Sequence, residues 1–308
     1  MKIAVLGAGA MGSLYGSKLS ACNEVWLVDV WKDHVDTVNE KGLTVTTNDG
    51  QATVFHPHAT TDASVVGTVE LVIVFVKSVN TAAALRQSAC LFGEDTMVLT
   101  LQNGYGNIED ILPFVREENL FVGTTAAGAT MIGPGHVRQA GMGPTNVGVP
   151  NPVNLGRAQK IVDLFLESGF PASASDNVMQ TIWTKLMVNV GLNAALALLN
   201  VRNGFIADCE HALQLAKQLV QEGTAVAAAE GYSISPEEIV QHYYIEGSKV
   251  VGHNRCSMLQ DVDHLRKTEV ERINGAIVDL GKKHGIPTPY NEVLTLLIKA
   301  KEDTYHYM

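Results

Sequence analysis

The first twelve residues restrict the fold of this chain more than any other segment. The apolar run Ile3-Ala-Val-Leu leads directly into Gly7, Gly9 and Gly12, and a helical pattern follows over 13–21. In such a strand–turn–helix, Gly7 permits the tight turn, Gly9 lets a pyrophosphate approach the backbone, and Gly12 allows close helix packing. The amide groups at the start of the helix attract negative charge. The segment therefore predicts a dinucleotide-binding site.

A carboxylate follows where a site of this kind uses one. Residues 25–28 form a second apolar run that ends at Asp29, 20 residues beyond Gly9. A carboxylate at this distance can accept hydrogen bonds from both ribose hydroxyls of NAD. The alternative is a glycine-rich turn without a ligand, and the strand, helix and carboxylate together argue against it.

Strand and helix patterns alternate through the first half of the chain. Residues 71–76 and 97–101 are continuous apolar runs, typical of parallel strands buried on both faces. Asn48-Asp-Gly predicts a hairpin turn, and segments 122–131 and 136–149 carry the β-branched and glycine-rich content of two further strands. The pattern predicts the α/β class, with an N-terminal Rossmann domain built on a doubly wound parallel sheet.

The rest of the chain has a helical character. Strand patterns end near Gly169, and Gly231, Gly285 and Pro287 separate long helical patterns. The predicted helices cover residues 176–199, 210–230, 236–248, 257–284 and 290–301. We therefore expect a Rossmann dinucleotide-binding domain over residues 1–172 and an all-α C-terminal domain over residues 173–308, used for substrate binding and dimerisation.

Composition excludes several classes of function. The 308 residues are 46% hydrophobic and 18% charged, as in an ordinary globular protein, and the net charge of −10 argues against a nucleic-acid partner. No uninterrupted apolar run approaches the roughly 20 residues that cross a bilayer. The four cysteines are scattered and form no metal-binding pattern. We expect a cytoplasmic protein with free thiols, no metal and no membrane partner.

A polar stripe interrupts the most apolar of the predicted helices. Lys185, Asn189 and Asn193 are spaced four residues apart, so they lie on nearly the same helix face. A buried polar group without a partner costs about 1–3 kcal/mol, so a stripe of three indicates a bound polar ligand. Lys185 also offers local positive charge to an anionic substrate.

Further polar residues occur at strand ends and near one helix start. Lys77 and Asn103 follow the apolar runs 71–76 and 97–101, and ligands of open α/β sheets bind at the carboxyl ends of strands. Lys77 could equally be a solvated lysine, whereas for Asn103 a functional role is favoured over that of a turn residue. Ser257-Met-Leu-Gln260 is a capping-box pattern. Glu269 is predicted on the same helix as Ser257, and becomes a catalytic candidate if it reaches Lys185.

With these residues assembled, the chain resembles the ketopantoate reductase family, the 2-dehydropantoate 2-reductases, over nearly its whole length. The resemblance rests on four segments: Gly7-Ala-Gly-Ala-Met-Gly12, Gln102-Asn-Gly-Tyr-Gly106, Trp183-Thr-Lys-Leu-Met-Val-Asn189, and Ser257-Met-Leu-Gln-Asp261 with Arg266-Lys-Thr-Glu-Val270 and Ile273-Asn-Gly275. The family's fold, a Rossmann domain followed by a helical domain, agrees with the pattern of elements.

The resemblance implies a role for each candidate residue in the reduction of a 2-oxo acid to an (R)-2-hydroxy acid. Lys185 and Glu269 match the catalytic lysine and carboxylate, and Asn103 matches a polar residue at the reacting carbonyl and the cofactor. The other matches are the substrate-binding residues Asn189, Asn193, Asn254 and Ser257, and the cofactor-binding residues Gly7, Gly9, Ala10, Met11, Gly12, Asp29 and Lys77.

One departure from the family pattern concerns the cofactor. Members that use NADPH usually carry an arginine just past the second strand, whereas this chain has Asp29, Val30 and then Trp31-Lys32. A carboxylate repels a 2′-phosphate, so NAD(H) should be preferred over NADP(H). The departure leaves two substrates open. The first is 2-dehydropantoate, which Asn254 and Ser257 favour. The second is the substrate of an NAD-dependent D-2-hydroxyacid dehydrogenase of the D-mandelate type.

Two other classes compete with this interpretation. The 3-hydroxyacid dehydrogenases of the 6-phosphogluconate type also join a Rossmann domain to helices and use a lysine–asparagine pair, but Asn193 and the segment after Ser257 favour the 2-oxo acid family. A non-catalytic dinucleotide sensor would have no need of Lys185 and Glu269. The apolar helical half allows a homodimer.

Overall fold

The computed structural model of this protein describes residues 1–150 and 155–307. The chain forms two compact units, Met1–Gln102 with Asn107–Met179 and Asn103–Gly106 with Gln180–Met308. We refer to them as the sheet unit and the helical unit. The four residues 103–106 therefore belong to the helical unit, although the chain reaches them from a strand of the sheet unit.

Ten strands of the sheet unit form a single sheet. They are β1 (Lys2–Leu6), β2 (Glu24–Val28), β3 (Leu43–Thr46), β4 (Ala52–Phe55), β5 (His58–Thr60), β6 (Leu71–Val74), β7 (Met97–Thr100), β8 (Leu120–Gly133), β9 (His136–Gly148) and β10 (Ala172–Ala174). Their order is β4-β3-β9-β8-β7-β6-β1-β2-β5, with β10 beside β9. The β3–β4 and β8–β9 pairs are antiparallel, and the other pairings are parallel.

The predicted α/β class is confirmed, and the predicted parallel sheet is found as a mostly parallel one with two antiparallel pairs. β6 and β7 are buried at every position, which explains why their sequences are continuous apolar runs rather than alternating ones. The predicted hairpin at Asn48-Asp-Gly joins β3 to β4, and the two strands predicted over 122–131 and 136–149 form the long β8–β9 hairpin. Two strands are missing from the prediction, β5 and β10. Each has only three residues and gains its hydrogen bonds from a neighbour, β2 or β9, rather than from a pattern of its own.

Five α-helices are described in the sheet unit, of which the first two correspond to helices predicted from the sequence. They are α1 (Ala10–Leu19), α2 (Lys32–Lys41), α3 (Thr81–Gln87), α4 (Asn107–Ile111) and α5 (Leu155–Glu167). α1 begins three residues earlier than predicted, with Gly9 as its N-cap. α2 ends at Gly42, which has a φ of +82° and so adopts a backbone conformation that glycine tolerates best.

The described part of the helical unit contains only helices and turns, as predicted. Its α-helices are α6 (Val178–Leu199), α7 (Phe205–Asp208), α8 (Glu210–Ala229), α9 (Pro236–Glu238), α10 (Gly247–Val251), α11 (Ser257–Asp263), α12 (Asn274–His284) and α13 (Pro289–Asp303). A π-helix, Ile239–Glu246, joins α9 to α10. The first two residues of α6, Val178 and Met179, belong to the sheet unit.

α6 supplies the centre of the helical unit's core. Trp183, Met187, Val190 and Ala194 are fully buried there. By length and composition alone α6 is apolar enough to cross a membrane, with a mean hydropathy of 1.5, although Lys185, Asn189 and Asn193 interrupt its apolar sequence. Burial inside the protein accounts for the same composition, since 56% of the apolar window is buried.

The predicted helix over 257–284 is not continuous. α11 ends at Asp263, Leu265 takes a φ of +52°, and a 3₁₀ turn, Val270–Arg272, precedes α12. Thr268 binds the carboxylate of Glu302 through its backbone N–H at 2.8 Å and its hydroxyl at 2.7 Å, and these bonds hold the interruption in place. Glu269 therefore lies in a turn, not on the helix of Ser257.

The predicted capping box is also wrong by one residue. Cys256, not Ser257, is the N-cap of α11, and no side chain caps this helix. Gln260 donates instead to the carbonyl of Arg255 at 3.0 Å. Ser257 therefore does not cap this helix.

Candidate active site

The glycine turn of the sheet unit has the shape predicted from the sequence. Gly7 has a φ of +93°, and a Cβ at this position would lie 2.6 Å from the backbone nitrogen of Val76. A Cβ on Gly12 would overlap the carbonyl oxygen of Gly7. Gly9 is exposed, and a Cβ there would meet no protein atom within 4 Å. The close packing therefore restricts Gly7 and Gly12, while the space at Gly9 suits a phosphate that approaches the backbone.

Asp29 connects the glycine turn to the segment after β2. Its Oδ2 accepts a hydrogen bond from the N–H of Ala8 at 2.6 Å, and its Oδ1 accepts one from the N–H of Trp31 at 2.9 Å. A carboxylate has about four lone-pair sites, so two remain for ribose hydroxyls. Ala10 and Met11 are half-buried and are the first two residues of α1, directly after this turn. These residues fit a dinucleotide such as NAD.

The ends of β6 and β7 are joined by a residue that sequence reasoning passed over. Gln102 donates from Nε2 to the carbonyl of Val76 at 2.7 Å and to the hydroxyl of Thr81 at 2.8 Å. Lys77 follows Val76 directly and is half-buried. The Gln102 amide therefore fixes the backbone from which Lys77 projects. The signal was present, since Gln102 stands beside Asn103 at the end of an apolar run.

Lys185 lies on α6 in the helical unit and interacts electrostatically with Glu269. Burial lowers the pKa of Lys185 from 10.5 to about 8, and the negative charge of Glu269 opposes that shift. Glu269 is half-buried and directly precedes the Val270–Arg272 turn. An ammonium group with a pKa of about 8 can give up a proton and take it back near neutral pH.

The segment Asn103–Gly106 is fastened to both of these elements. The N–H of Tyr105 donates to the carbonyl of Arg272 at 2.8 Å, and the Tyr105 ring lies 5.0 Å from the ring of Trp183. Arg272 is three residues from Glu269, and Trp183 is two residues from Lys185. Tyr105 therefore attaches the segment Asn103–Gly106 to the turn that follows Glu269 and to the helix that carries Lys185. Sequence reasoning assigned no role to Tyr105.

The remaining candidates differ in their exposure to solvent. Asn189 is half-buried and Asn193 is only 4% exposed, whereas Asn254 and Ser257 are exposed. The backbone carbonyl of Asn193 accepts a hydrogen bond from the thiol of Cys256 at 3.6 Å, which brings α6 close to the start of α11. Within residues 1–150 and 155–307, the side chains of these four candidates form no hydrogen bond. Their polar atoms are therefore available to a ligand.

The fold and the two groups of residues define a nicotinamide-dependent oxidoreductase with a Rossmann sheet and a helical C-terminal region. Models of the ketopantoate reductase family match residues 3–152, and models of the family's C-terminal part match residues 177–302. The chain belongs to the ketopantoate reductase family. The resemblance stated from the sequence is thereby confirmed.

Relatives match the chain along its whole length. The 2-dehydropantoate 2-reductase of Halobacterium salinarum is 37% identical over 305 residues, which cover 98% of this chain and 99% of that protein. The structure of D-mandelate dehydrogenase with NADH and anilino(oxo)acetate is 35% identical, with a TM-score of 0.94 over 99% of both chains. A ketopantoate reductase structure from Ralstonia eutropha is 29% identical, with a TM-score of 0.89 over 99% of this chain and 100% of that one.

Proposed function

We propose that this protein reduces 2-dehydropantoate to (R)-pantoate with NADH. The observation that carries the proposal is the coupled pair of Lys185 and Glu269, accompanied by four polar side chains that have no hydrogen-bond partner in the described protein. The curated relatives of similar length support the choice of substrate, since they are 2-dehydropantoate 2-reductases.

The reduction requires that the protein stabilise one developing negative charge and donate one proton. Bound NADH supplies a hydride to the carbonyl carbon of the oxo acid, and negative charge develops on the carbonyl oxygen. The ammonium group of Lys185 stabilises that charge and delivers the proton. Glu269 favours the protonated form of Lys185, because its charge raises the pKa that burial lowers. We assign Asn103 to orienting the reacting carbonyl.

The four unbonded polar side chains are assigned to the substrate. Asn189 and Asn193 follow Lys185 on the same face of α6, so they can hold the substrate oxygens in a fixed geometry relative to the ammonium group. Asn254 and Ser257 offer exposed amide and hydroxyl groups at the start of α11. We assign residues 173–308 to substrate binding and dimerisation.

The preference for NADH rests on Asp29. Its carboxylate is held against the glycine turn by two backbone N–H groups, so it stays at the place where the ribose of a dinucleotide lies. A 2′-phosphate there would meet a negative charge. The resemblance implies an arginine just past the second strand in family members that use NADPH, and here Val30 stands at that place.

One observation favours a second candidate, an NAD-dependent D-2-hydroxyacid dehydrogenase. The D-mandelate dehydrogenase structure holds NADH and superimposes on this chain with a TM-score of 0.94. Both candidates share Lys185, Glu269 and the hydride transfer, and they differ in the group attached to the oxo acid.

Initial rates with NADH and NADPH, each against 2-dehydropantoate and phenylglyoxylate, separate the two candidates. We expect the highest kcat/KM for NADH with 2-dehydropantoate, and an Asp29→Asn variant should lose part of its discrimination against NADPH. NADH with phenylglyoxylate as the best pair would establish the second candidate. NADPH as the better cofactor of the wild-type protein would refute the role of Asp29.

A further inference from the structure

An exposed tryptophan stands two residues after the carboxylate of the cofactor site. Trp31 is 38% exposed. Its backbone N–H donates to Oδ1 of Asp29 at 2.9 Å, so the same carboxylate that is assigned to the ribose fixes the start of the Trp31 side chain. Trp31 therefore stands beside the carboxylate at which a ribose would bind.

The indole ring packs against a neighbouring side chain. Its ring stacks on the imidazole of His34, with ring centroids 5.2 Å apart and an angle of 16° between the planes. His34 is fully buried one turn further along α2. The imidazole thus supports one side of the indole, while part of the residue remains in contact with solvent.

The support behind the indole is itself tied to the glycine turn. Nδ1 of His34 accepts a hydrogen bond from the N–H of Gly135 at 3.0 Å, so the proton of the neutral ring is on Nε2, which lies 3.2 Å from the hydroxyl of Ser13. Ser13 in turn donates to the carbonyl of Ala8 at 2.8 Å. Burial lowers the pKa of His34 against the opposing charge of Asp29, so the ring stays neutral at neutral pH.

Asp29, Trp31 and His34 therefore form one pre-organised frame around the turn of Gly7 to Gly9. We propose that the exposed surface of Trp31 is the adenine-binding surface of the dinucleotide site, an inference that rests on the proposed use of NADH. Stacking of a base on an aromatic side chain contributes about 1–3 kcal/mol, and a supported indole loses little conformational freedom when a base stacks on it. The alternative is that Trp31 is an exposed surface residue that contacts no ligand.

Equilibrium binding tests the inference without turnover. Isothermal titration with NADH, ADP-ribose and reduced nicotinamide mononucleotide is compared for the wild-type protein, Trp31→Ala and Trp31→Phe. For Trp31→Ala we expect the Kd of ADP-ribose and of NADH to rise about 5- to 150-fold, the range that follows from the stacking energy. Trp31→Phe keeps a ring and should stay within about threefold of wild type. The mononucleotide lacks adenosine, so its Kd should not change.

Trp26→Phe is the matched control. Trp26 is a half-buried tryptophan of β2 that stacks on another histidine, His58, with centroids 4.5 Å apart. This variant should bind all three ligands as wild type does. Thermal unfolding of each variant shows whether the fold is retained.

Several results would overturn the inference. Unchanged ADP-ribose binding by Trp31→Ala would remove the adenine surface, and equal weakening of ADP-ribose and the mononucleotide would make Trp31 a merely structural residue. Failure of the wild-type protein to bind NADH would refute the proposed function and this inference together. A Trp31-dependent affinity for ADP-ribose in a protein that reduces no 2-oxo acid would uphold the inference and refute the proposed function.

Discussion

The role proposed for Lys185 connects the burial of a single side chain to catalysis. The residue lies in an apolar helix, and its removal from water lowers its pKa to about 8. Without Glu269 the same burial would lower the pKa further, because the carboxylate is the group that opposes the shift. The pair therefore sets the pH range in which a protonated donor is present.

This coupling predicts the pH dependence of the reduction. The rate should fall tenfold per pH unit above about 8, where Lys185 loses the proton that we propose it donates. Glu269→Gln removes the charge that raises this pKa, so the fall should begin at a lower pH. Lys185→Ala should lower kcat by about 10²- to 10⁴-fold and abolish this limb of the profile. The measurement is kcat from pH 6 to 10.

Glu271→Gln is the control for this series. Glu271 is an exposed carboxylate two residues from Glu269 that pairs with Lys299, so its loss should leave the profile in place. If Glu269→Gln has the wild-type profile, or if Lys185→Ala keeps wild-type turnover, the pair does not perform the proton transfer.

The helix that carries Lys185 is shaped by a tyrosine from the π-helix Ile239–Glu246. The hydroxyl of Tyr244 donates to the carbonyl of Met187 at 2.9 Å, and approaches the carbonyl of Val188 at 3.3 Å. Both carbonyls lie between Lys185 and Gly191. A Cβ on Gly191 would overlap the Tyr244 hydroxyl, so glycine is required where the two helices meet.

We expect this contact to position the polar stripe. Tyr244→Phe should lower the free energy of unfolding by about 1–2 kcal/mol, through the loss of one buried hydrogen bond. It should also raise KM for the oxo acid more than it lowers kcat, since Asn189 and Asn193 would shift relative to Lys185. Gly191→Ala should be more damaging on both counts. Chemical denaturation and steady-state kinetics give the two readouts.

Gly156→Ala supplies the comparison for a glycine inside a helix. Gly156 lies in α5, and a Cβ there would meet no protein atom within 4 Å, so the change should be neutral or stabilising by about 0.5–1 kcal/mol. Gly191→Ala behaving like Gly156→Ala would contradict the positioning role of Tyr244.

Elements with a local pattern could be predicted from the sequence, and elements made by distant contacts could not. β6 and β7 are recognisable in the sequence as apolar runs, and Gly42 marks the end of α2. The break after α11 depends on Thr268 and Glu302, which are 34 residues apart. No spacing near residue 268 indicates that bond, so a single long helix was predicted.

The candidate site divides in the same way. Lys185, Asn189 and Asn193 could be found because a helical period places them on one face, and their roles remain predictions. The role of Tyr105 could not be predicted, because its contacts with Arg272 and Trp183 join segments separated by more than 70 residues. Such contacts leave no periodic signal in the sequence.

The surface of the whole molecule bears on the expected homodimer. α13 carries an exposed apolar stripe of Tyr290, Val293, Leu296 and Leu297, each 45–62% exposed. Their spacing places them along one face of the helix. Exposed apolar patches that are contiguous mark interaction surfaces, and a two-fold pairing of two copies would bury the same stripe on both.

We therefore expect α13 to mediate dimerisation. The double variant Leu296→Glu with Leu297→Glu should be a monomer under conditions where the wild-type protein is a dimer, because two buried carboxylates on each side would repel each other across the two-fold axis. Light scattering after size exclusion measures the mass, for which the single chain is 33.1 kDa. Val65→Glu changes another exposed apolar residue, 60% exposed and outside α13, and should remain dimeric. A wild-type monomer, or a dimer that survives the double substitution, would show that α13 serves no such interface.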